Sequence, residues 1–513
     1  MSGDVIKKEF GDYQTPLKFA NDICLYLKKE LKINPKIVLE PTCGMGNFLE
    51  AGLNVFANLK KAYGIEINPD YCEKCKKKFN NNLVSIKCDD FFSINLNYII
   101  DPTEELLILG NPPWATNSEI NFNLPKKKNF KNLSGTDAIT GASNFDVCEY
   151  IILKLLNEFK SFNATIAMLC KTSVARNVFN EISRNHYPAK YVKMLNFNAK
   201  KIFDVNAPAC LLVVKMAKNE KGCSICQVSD FDAPETIQSI ITCDNGVLSN
   251  SNKVVHDLDG NCQFEWRQGV KHDCSKIMEL KKLENNLYKN KNNEVFKIEE
   301  HFVYPLLKSS SFKKTILNTD FEKYVIVTQK KAKDETASIA HFAPLTWKYL
   351  MCNKKEFDNR KSSIYNNAPL FSMFGVGDYS YAQYKVGISG FYKKPLFSLI
   401  YNKENIQKPI MLDDTSYFLS FDNYDMAYVC MLILNSDTVQ DFLYSISFQD
   451  AKRPYTKKVL QRINFKKCID CISLQDLLKT EEVLSLNRYI SPQIYQKFKS
   501  HIIYNENKQL SIF

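Results

Sequence analysis

The sequence predicts an α/β fold in its first half, followed by a mixed α+β region in its second half. Three observations support this prediction. Short apolar runs alternate with helical patterns as far as about residue 216. A Gly-x-Gly turn joins the first of these strands to a helix, as in many nucleotide-binding sheets. Acidic or amide side chains follow the later strands, at the sheet edge where ligands of such folds bind.

Length and charge set the general class of the protein. The 513 residues are enough for two or three domains. The net charge of +12 fits a polyanionic partner, and it fits an ordinary basic soluble protein equally well. No run approaches the ~20 apolar residues that span a bilayer, and residues 1–10 contain no signal-peptide core. We therefore expect a cytoplasmic protein without a membrane partner.

The seventeen cysteines are scattered through the predicted strands and helices. Three Cys-x-x-Cys pairs occur, Cys72/Cys75, Cys223/Cys226 and Cys468/Cys471, but they lie far apart in a chain with only six histidines. A zinc site usually needs two such pairs close together or a nearby histidine pair. We expect reduced thiols and no metal.

The first predicted elements surround a glycine turn. Phe10–Pro16 precedes a helical pattern from Leu17 to about Leu31, with Thr15 or a neighbour as the helix cap. The same loop is a candidate to cover one end of a cofactor. A strand from Lys36 to Leu39 then runs into Glu40–Gly46, where Gly44 and Gly46 permit a tight turn and close approach to a ligand.

The next two strands end in acids. Glu66 follows the strand Ala62–Ile65 at the spacing from which a carboxylate meets a ribose diol. Leu49 occupies the place of a third glycine, so the turn need not hold a pyrophosphate, which favours S-adenosylmethionine over NAD. Asp90 follows the third strand and is a candidate partner for an adenine amine, with Phe91 beside it. A solvated turn is the alternative for these residues.

The fourth strand, Leu106–Gly110, stops at Asn111-Pro112-Pro113-Trp114 because proline has a fixed φ and no N–H. An amide and an indole ring are thereby held rigidly at the carboxyl end of a buried strand. A simple strand-ending turn is the alternative.

In order and spacing, these motifs resemble the TaqI-like, gamma class of N6-adenine DNA methyltransferases of the type II restriction-modification kind. Glu40–Gly46 looks like the cofactor motif of that class, and Asn111–Trp114 looks like its catalytic motif. Phe10–Pro16 looks like its N-terminal motif, which contacts the methionine part of the cofactor. The resemblance covers residues 8–216 with specific motifs and the remainder only loosely.

The resemblance implies a Rossmann-like, class I S-adenosylmethionine-dependent methyltransferase sheet with a C-terminal mixed α+β target-recognition domain. We expect the catalytic domain at residues 1–250, a linker or helical connection at 251–300 and the DNA target-recognition domain at 301–513. In the last region, basic residues alternate with aromatic ones, which suits phosphate contact but also suits an ordinary β-rich domain.

The resemblance also implies roles for individual residues. Asn111 and Pro112 would accept the two hydrogens of the target amine, and Trp114 would stack on the target base. Phe203 would touch the flipped base, although a core phenylalanine is at least as good an interpretation. Lys126, Lys127 and Lys271 would contact DNA. The expected cofactor residues are Tyr13, Thr15, Pro16, Glu40, Pro41, Cys43, Gly44, Gly46, Glu66, Ile67, Asp90, Phe91 and Asn111.

The expected partners are double-stranded DNA and a cognate restriction endonuclease, and the expected state is a monomer that is nucleoid-associated when bound to DNA. N4-cytosine, RNA and protein-glutamine methylation use the same motif chemistry and stay open. A bifunctional restriction–modification enzyme and a DNA-binding module without activity are further alternatives. Cytosine-C5 methylation is disfavoured because it needs a Pro-Cys nucleophile, and none of the eighteen prolines precedes a cysteine.

Overall fold

The chain forms two compact units, Met1–Asn252 and Lys253–Phe513. The structure is a computed structural model that describes residues 13–80, 82–96, 100, 103–114, 146–220, 222–244, 246–250, 258–319, 321–405 and 408–510.

The first unit is built on one ten-stranded sheet. Its strands are β1 (Ile37–Glu40), β2 (Lys61–Glu66), β3 (Val84–Cys88), β4 (Leu106–Gly110), β5 (Ala164–Lys171), β6 (Ala189–Phe197), β7 (Ala209–Met216), β8 (Ile225–Asp230), β9 (Ala233–Asp244) and β10 (Val247–Asn250). The spatial order is β10-β9-β8-β6-β7-β5-β4-β1-β2-β3. Strands β1 to β5 are mutually parallel, whereas β7 runs antiparallel to both β5 and β6.

Six helices accompany this sheet in the described part of the unit: α1 (Leu17–Lys29), α2 (Asn47–Val55), α3 (Pro69–Lys78), α4 (Val147–Glu158), α5 (Thr172–Arg184) and α6 (Ala199–Phe203). Each longer helix buries an apolar face, as α1 does with Phe19, Ile23 and Leu27 at helical spacing. Strands β1 and β4 are buried along their whole length, which explains their uninterrupted apolar sequences.

The parallel strands direct the predicted site residues to one edge of the sheet. β1 pairs with β2 on one side and with β4 on the other, so the chain reverses its winding direction between β1 and β4. Ligands of open α/β sheets bind in the crevice beyond the carboxyl ends of strands at such a reversal. The glycine turn after β1 and Asn111 after β4 flank this point.

The second unit contains two smaller sheets. Its strands are β11 (Arg267–Gln268), β12 (Glu279–Lys282), β13 (Leu287–Asn290), β14 (Val295–Lys297), β15 (Val303–Leu307), β16 (Ile316–Leu317), β17 (Tyr324–Ile326), β18 (Tyr384–Ser389), β19 (Ser398–Ile400), β20 (Met411–Leu412) and β21 (Ser416–Phe421). One sheet has the order β11-β21-β18-β19-β16, and the other has the order β14-β13-β12-β17-β15-β20.

The helices of the second unit are α7 (Ser275–Met278), α8 (Ile339–Phe342), α9 (Pro344–Cys352), α10 (Lys354–Asp358), α11 (Tyr424–Asn435), α12 (Asp437–Ile446), α13 (Lys457–Leu460), α14 (Phe465–Cys471), α15 (Leu474–Val483) and α16 (Pro492–Leu510). The largest apolar core of the unit surrounds α11, which buries eight consecutive residues from Ala427 to Leu434. Trp266, with no exposed surface, belongs to this core.

The sequence predicted the elements of the first unit well, but it was wrong for residues 251–300. The expected helical connection is instead a β-rich part of the second unit, where β12 and β13 pair antiparallel with Leu280 opposite Asn290. Asn285, at φ +55°, lies in the short 3-10 turn Glu284–Asn286 between them, and among the described residues of this range the α-helix is limited to Ser275–Met278. The segment expected to be a helical connection therefore contains a hairpin with buried Leu280 and Tyr288.

All seventeen cysteines are free thiols. Within the residues described, no cluster of three or more His, Cys, Asp or Glu side chains has the arrangement of a metal site. No helix of the described chain is both long and apolar enough to cross a membrane.

Candidate active site

The glycine turn after β1 has the left-handed backbone conformation that its two glycines permit. Gly44 and Gly46 adopt φ values of +49° and +72°, which side chains other than glycine rarely accept. A Cβ atom at Gly44 would lie 2.6 Å from the side chain of Gln14. The turn is closed by a hydrogen bond of 2.8 Å from the Cys43 N–H to the Ile65 carbonyl. The two glycines are therefore required by the geometry of this turn.

Glu66 connects the turn to the end of β2. Its carboxylate accepts hydrogen bonds from the N–H groups of Gly44, at 2.7 Å, and Asn68, at 2.8 Å. The side chain is buried, and the following residue, Ile67, is 55% exposed. This pair places an acceptor and an accessible apolar surface side by side at the ligand edge of the sheet.

Glu40 has a different position from the other predicted cofactor residues. It lies beneath the turn, 3% exposed, and accepts a hydrogen bond of 3.2 Å from the Leu49 N–H in the first turn of α2. Burial raises the pKa of the Glu40 carboxyl well above its ordinary value, and the Leu49 hydrogen bond opposes that shift. Glu40 and the buried Pro41 therefore support the turn from below.

The two phenylalanines in the loop after β3 differ in their exposure. Asp90 Oδ1 accepts a hydrogen bond of 2.9 Å from the Phe92 N–H, which makes a local turn. Phe91, the predicted cofactor residue, is 5% exposed, and the Lys154 ammonium lies 4.7 Å from its ring centroid. Phe92 is the half-buried ring of the pair. Phe91 was predicted from the sequence and Phe92 was not, because only the loop geometry decides which of two adjacent rings turns inward.

The loop Tyr13–Pro16 contacts both the glycine turn and the strand ends. Gln14 Oε1 accepts a hydrogen bond of 3.0 Å from the Met45 N–H, and Asn47 Nδ2 donates to the Thr15 carbonyl at 2.8 Å. Thr15 was expected to cap α1, but it makes no side-chain cap; exposed Pro16 precedes the helix directly. Gln14 and Asn47 were missed, although both adjoin predicted residues in the sequence.

The orientation of the Asn111 side chain is fixed by the same loop. Asn111 Nδ2 donates a hydrogen bond of 2.8 Å to the Tyr13 carbonyl oxygen. The amide oxygen, Oδ1, is buried and has no hydrogen-bond partner among the described residues. The opposite orientation would place two oxygens against each other, so the amide presents an acceptor. Pro112, buried behind it, ends the strand.

Two further buried oxygens near this loop have no hydrogen-bond partner in the described part of the chain. They are Oγ1 of Thr15 and Oγ1 of Thr42, the latter within the glycine-turn segment. Buried polar atoms are normally hydrogen-bonded, and exceptions call for an explanation such as a missing ligand. Together with Asn111 Oδ1, these atoms indicate a site that a polar ligand completes.

Three aromatic rings come together beside Asn111. The ring centroid of Trp114 lies 6.3 Å from that of Tyr13 and 5.7 Å from that of Phe203, and the latter two are 6.4 Å apart. Trp114 is 6% exposed and donates its indole N–H to the Leu169 carbonyl at 3.3 Å, whereas Tyr13 and Phe203 are half-buried. We call these three rings the aromatic cluster.

Lys171 contacts both of the described segments that flank residues 115–145. Its ammonium lies 3.2 Å from the Trp114 carbonyl oxygen and 2.9 Å from Asp146 Oδ2. Asp146 also accepts a hydrogen bond from the Cys148 N–H and so caps α4. Neither Lys171 nor Asp146 was selected from the sequence.

The lysines that were predicted to contact DNA are not among the residues of the site just described. Lys126 and Lys127 lie outside the described residues. Lys271 belongs to the second unit, where its ammonium is 3.3 Å from Asp273 and 3.9 Å from Asp414, so its charge is locally balanced. In the first unit, the structure brings together the predicted Tyr13, Thr15, Gly44, Glu66, Asn111, Trp114 and Phe203.

Two curated proteins are similar to this chain in sequence, whereas no protein-family model matches it. Type II methyltransferase M.NspV from Nostoc sp. is 40% identical over 473 residues, which cover 90% of this chain and 97% of that protein. Type II methyltransferase M.CvrRI from Paramecium bursaria Chlorella virus XZ-6E is 23% identical over 176 residues, or 34% of this chain and 35% of that protein.

Solved structures show more distant similarity. The type IIG restriction endonuclease BpuSI aligns with a TM-score of 0.37 at 14% identity, covering 98% of this chain and 67% of that one. The methyltransferase subunit of a type I restriction-modification system from Streptococcus thermophilus aligns with a TM-score of 0.32 at 12% identity, covering 44% of this chain and 50% of that one.

Proposed function

The chain belongs to the type II methyltransferases, and from this membership we propose that it methylates the N6 amine of a flipped-out adenine at a specific site in double-stranded DNA. Its first unit has the class I S-adenosylmethionine-dependent methyltransferase fold, and its methyl donor is S-adenosylmethionine. The observation that carries the proposal for the target amine is the orientation of Asn111.

The residues beside the glycine turn fit the methyl donor. Thr15 Oγ1 and Thr42 Oγ1 are buried acceptors or donors that lack partners among the described residues, as expected where a polar amino-acid group binds. Glu66 would hold the ribose hydroxyls, and the exposed side chain of Ile67 would cover the adenine ring. Asp90 and Phe92 would complete the adenine end. When bound, S-adenosylmethionine supplies an electrophilic methyl group on a sulfonium.

Asn111 and Pro112 would activate the target amine. The lone pair of adenine N6 is delocalised into the ring, so the amine is a poor nucleophile. Asn111 Oδ1 and the Pro112 carbonyl would accept its two hydrogens, favour tetrahedral geometry at nitrogen and stabilise the positive charge that develops there. The Tyr13 carbonyl holds the amide in the orientation that this role requires.

The aromatic cluster would hold the base. Trp114 is almost fully buried and anchored to Leu169, whereas Tyr13 and Phe203 are half-buried. We therefore assign the stacking surface to the cluster as a whole, with Trp114 supporting the other two rings. Stacking offsets part of the few kcal/mol that extrusion of a base from a duplex costs, and it aligns the amine with the methyl group.

The protein would act beside a cognate restriction endonuclease, as a monomer that methylates the sequence which that nuclease cuts. The second unit would select this sequence.

The methylated base can be identified directly, because nucleoside digestion and mass spectrometry of DNA from cells expressing the protein separate N6-methyladenine from N4-methylcytosine. Detection of methylcytosine alone would overturn the adenine assignment.

A substitution at Asn111 tests the catalytic assignment. We expect Asn111→Ala to lower methyl transfer to DNA by about a hundredfold to a thousandfold, because the amine loses one of its two acceptors. Binding of S-adenosylmethionine, measured by calorimetry, should remain within a few-fold of wild type. Asn54→Ala, at an exposed position of α2, is the matched control and should retain full activity. Near wild-type turnover of Asn111→Ala would contradict the mechanism.

A further inference from the structure

Two loops of the second unit form one rigid feature. The first, Gly390–Leu396, follows β18, and the second, Ser447–Tyr455, follows α12. Tyr455, with no exposed surface, donates its hydroxyl to the Lys393 carbonyl at 2.8 Å and accepts a hydrogen bond from Gln449 at 3.1 Å. Lys393 Nζ donates to the Ala451 carbonyl. These bonds fix the loops against each other.

Gly390 sets the direction in which the first loop leaves the sheet. Its N–H donates to the Thr415 carbonyl at 2.9 Å, and a Cβ atom at this position would lie 2.7 Å from that same oxygen. A side chain would collide with backbone here, so only glycine allows the approach. The next residue, Phe391, is consequently held at the surface as a half-buried ring.

Cations gather around that ring. The Arg453 guanidinium lies 4.8 Å from the Phe391 centroid, and the Lys452 ammonium lies 5.9 Å from it. Lys393 and Lys394 follow the ring in sequence and are exposed. We call Phe391, Lys393, Lys394, Lys452 and Arg453 the basic–aromatic surface. It borders a cavity of ≈ 500 Å³ that Phe312, Tyr392 and Leu396 also line.

The charges of this surface are only partly balanced within the described chain, where an acid that acts on it is Asp414: burial raises the pKa of the Asp414 carboxyl, and the charge of Arg453 opposes that rise. None of its four cations lies within ion-pair distance of a described carboxylate. The neighbouring lysines differ, because Lys271 pairs with Asp273 and Lys308 pairs with Glu279 at 2.7 Å. Four clustered positive charges on a rigid base complement a polyanion with closely spaced charges, and duplex DNA carries one per ≈ 1.7 Å of axis.

We propose that the basic–aromatic surface binds the phosphate backbone of the substrate duplex and thereby sets the position of the second unit on DNA. This inference rests on the proposed function, since that function supplies the duplex. Arginine stacked on an aromatic ring keeps its planar fork oriented, which suits paired hydrogen bonds to phosphate oxygens. The surface contributes affinity, whereas sequence selection belongs to contacts with base edges.

The salt dependence of DNA binding tests this proposal in the full-length protein. Each phosphate contact contributes close to one unit to the slope of log affinity against log salt. We expect Lys393→Ala/Lys394→Ala and Lys452→Ala/Arg453→Ala each to lower this slope by about two and to raise the KM for duplex DNA at least about fivefold. The kcat at saturating DNA and the affinity for S-adenosylmethionine should not change.

One control removes charge elsewhere in the second unit, and the other keeps the charge of the basic–aromatic surface. Lys354→Ala/Lys479→Ala takes the same charge from the second unit at lysines that pair with Asp358 and Asp437, and it should keep the wild-type slope. Lys393→Arg/Lys394→Arg should also keep it. Wild-type slopes in both alanine variants, or equal losses in the control, would overturn the inference while leaving DNA methylation intact. Methylation of RNA or protein in place of DNA by the wild-type enzyme would instead overturn the proposed function.

Discussion

Lys171 shows how a residue outside the predicted motifs supports the proposed catalytic motif. A single ammonium contacts the carbonyl that ends Asn-Pro-Pro-Trp and the carboxylate that caps α4. Its side chain is only 27% exposed, so solvent weakens the pair less than it weakens a surface ion pair. Lys171 is a positioning residue, because it touches the backbone of the motif and not the reacting amine.

We expect Lys171→Met to lower kcat about tenfold, since small displacements of reacting groups are costly, with little change in the KM for S-adenosylmethionine. Lys171→Arg should recover most of the lost rate. Lys215→Met is the matched control, because Lys215 forms a similar half-buried pair with Glu105 at the opposite edge of the sheet. Equal loss of kcat in both methionine variants would show a general effect on stability.

Lys385 is a buried cation without a described acidic partner. It is 1% exposed, its ammonium donates to the Ala382 carbonyl at 2.7 Å, and burial lowers its pKa from 10.5 to about 7. The unfolded chain holds the proton up to the ordinary value. The contribution of Lys385 to stability is therefore most unfavourable below about pH 7, and it improves as pH rises toward 10.5.

We therefore expect Lys385→Met to raise the free energy of unfolding by on the order of 3 kcal/mol near pH 6, with the advantage disappearing by about pH 10. Urea unfolding of both proteins across this range measures the difference, and other titrating groups cancel in the comparison. An advantage that does not vary with pH would show that Lys385 is charged in the folded protein throughout.

Several residues of the candidate cofactor site could be predicted because local sequence patterns specify them. Gly44, Gly46 and Glu66 follow from the βα turn and from the end of the next strand. Gln14 and Lys171 could not be predicted, because their contacts are with residues far away in the sequence. Gln14 and Met45, for example, are 31 residues apart.

Among the structural elements, the glycine turn allows the clearest prediction for a substitution. At Gly44 an alanine would be strained at φ +49°, and its Cβ would displace Gln14 from the Met45 N–H. We expect Gly44→Ala to cost about 1–3 kcal/mol of stability and to raise the KM for S-adenosylmethionine at least about tenfold. Steady-state kinetics and thermal unfolding measure the two effects.

Gly52 in α2 provides the control for that substitution. A Cβ there would meet Val38 at an ordinary 3.5 Å, in a helical backbone. Gly52→Ala should leave the KM unchanged and keep or improve stability, since alanine favours helix. If both variants bound the cofactor normally, the turn would have no role in the site.

The elements of the first unit were predictable because parallel buried strands have uninterrupted apolar sequences and regular helical connections. The second unit has short strands that pair over long separations, such as Arg267 with Phe418 and Leu306 with Met411. Strands of two or three residues contain too little periodicity to be recognised. The hairpin β12–β13 pairs locally, but its strands have only four residues each, which is also short for a period-2 pattern to be recognised.

At the scale of the whole molecule, the two units have separate cores. All of the predicted cofactor residues lie in the first. We expect a fragment of residues 1–252 to bind S-adenosylmethionine within a few-fold of the full-length affinity and to methylate duplex DNA at least about a hundredfold more slowly. Calorimetry and methyl incorporation measure these quantities. Full activity of the fragment would show that the second unit is not needed to position DNA.

The hydrogen bond between Asn111 and Tyr13 has a consequence for how the enzyme can be tuned. The side-chain amide of Asn111 has an oxygen that accepts hydrogen bonds and an NH₂ group that donates them. The Tyr13 carbonyl, far upstream in the sequence, fixes the NH₂ group and so leaves the oxygen to face the site. If that stretch of backbone moved away, the carboxamide would be free to rotate by half a turn and would confront an amine with hydrogens of its own. In the proposed mechanism, a change near the start of the chain that displaces the Tyr13 backbone would therefore abolish methyl transfer with Asn111 itself unchanged.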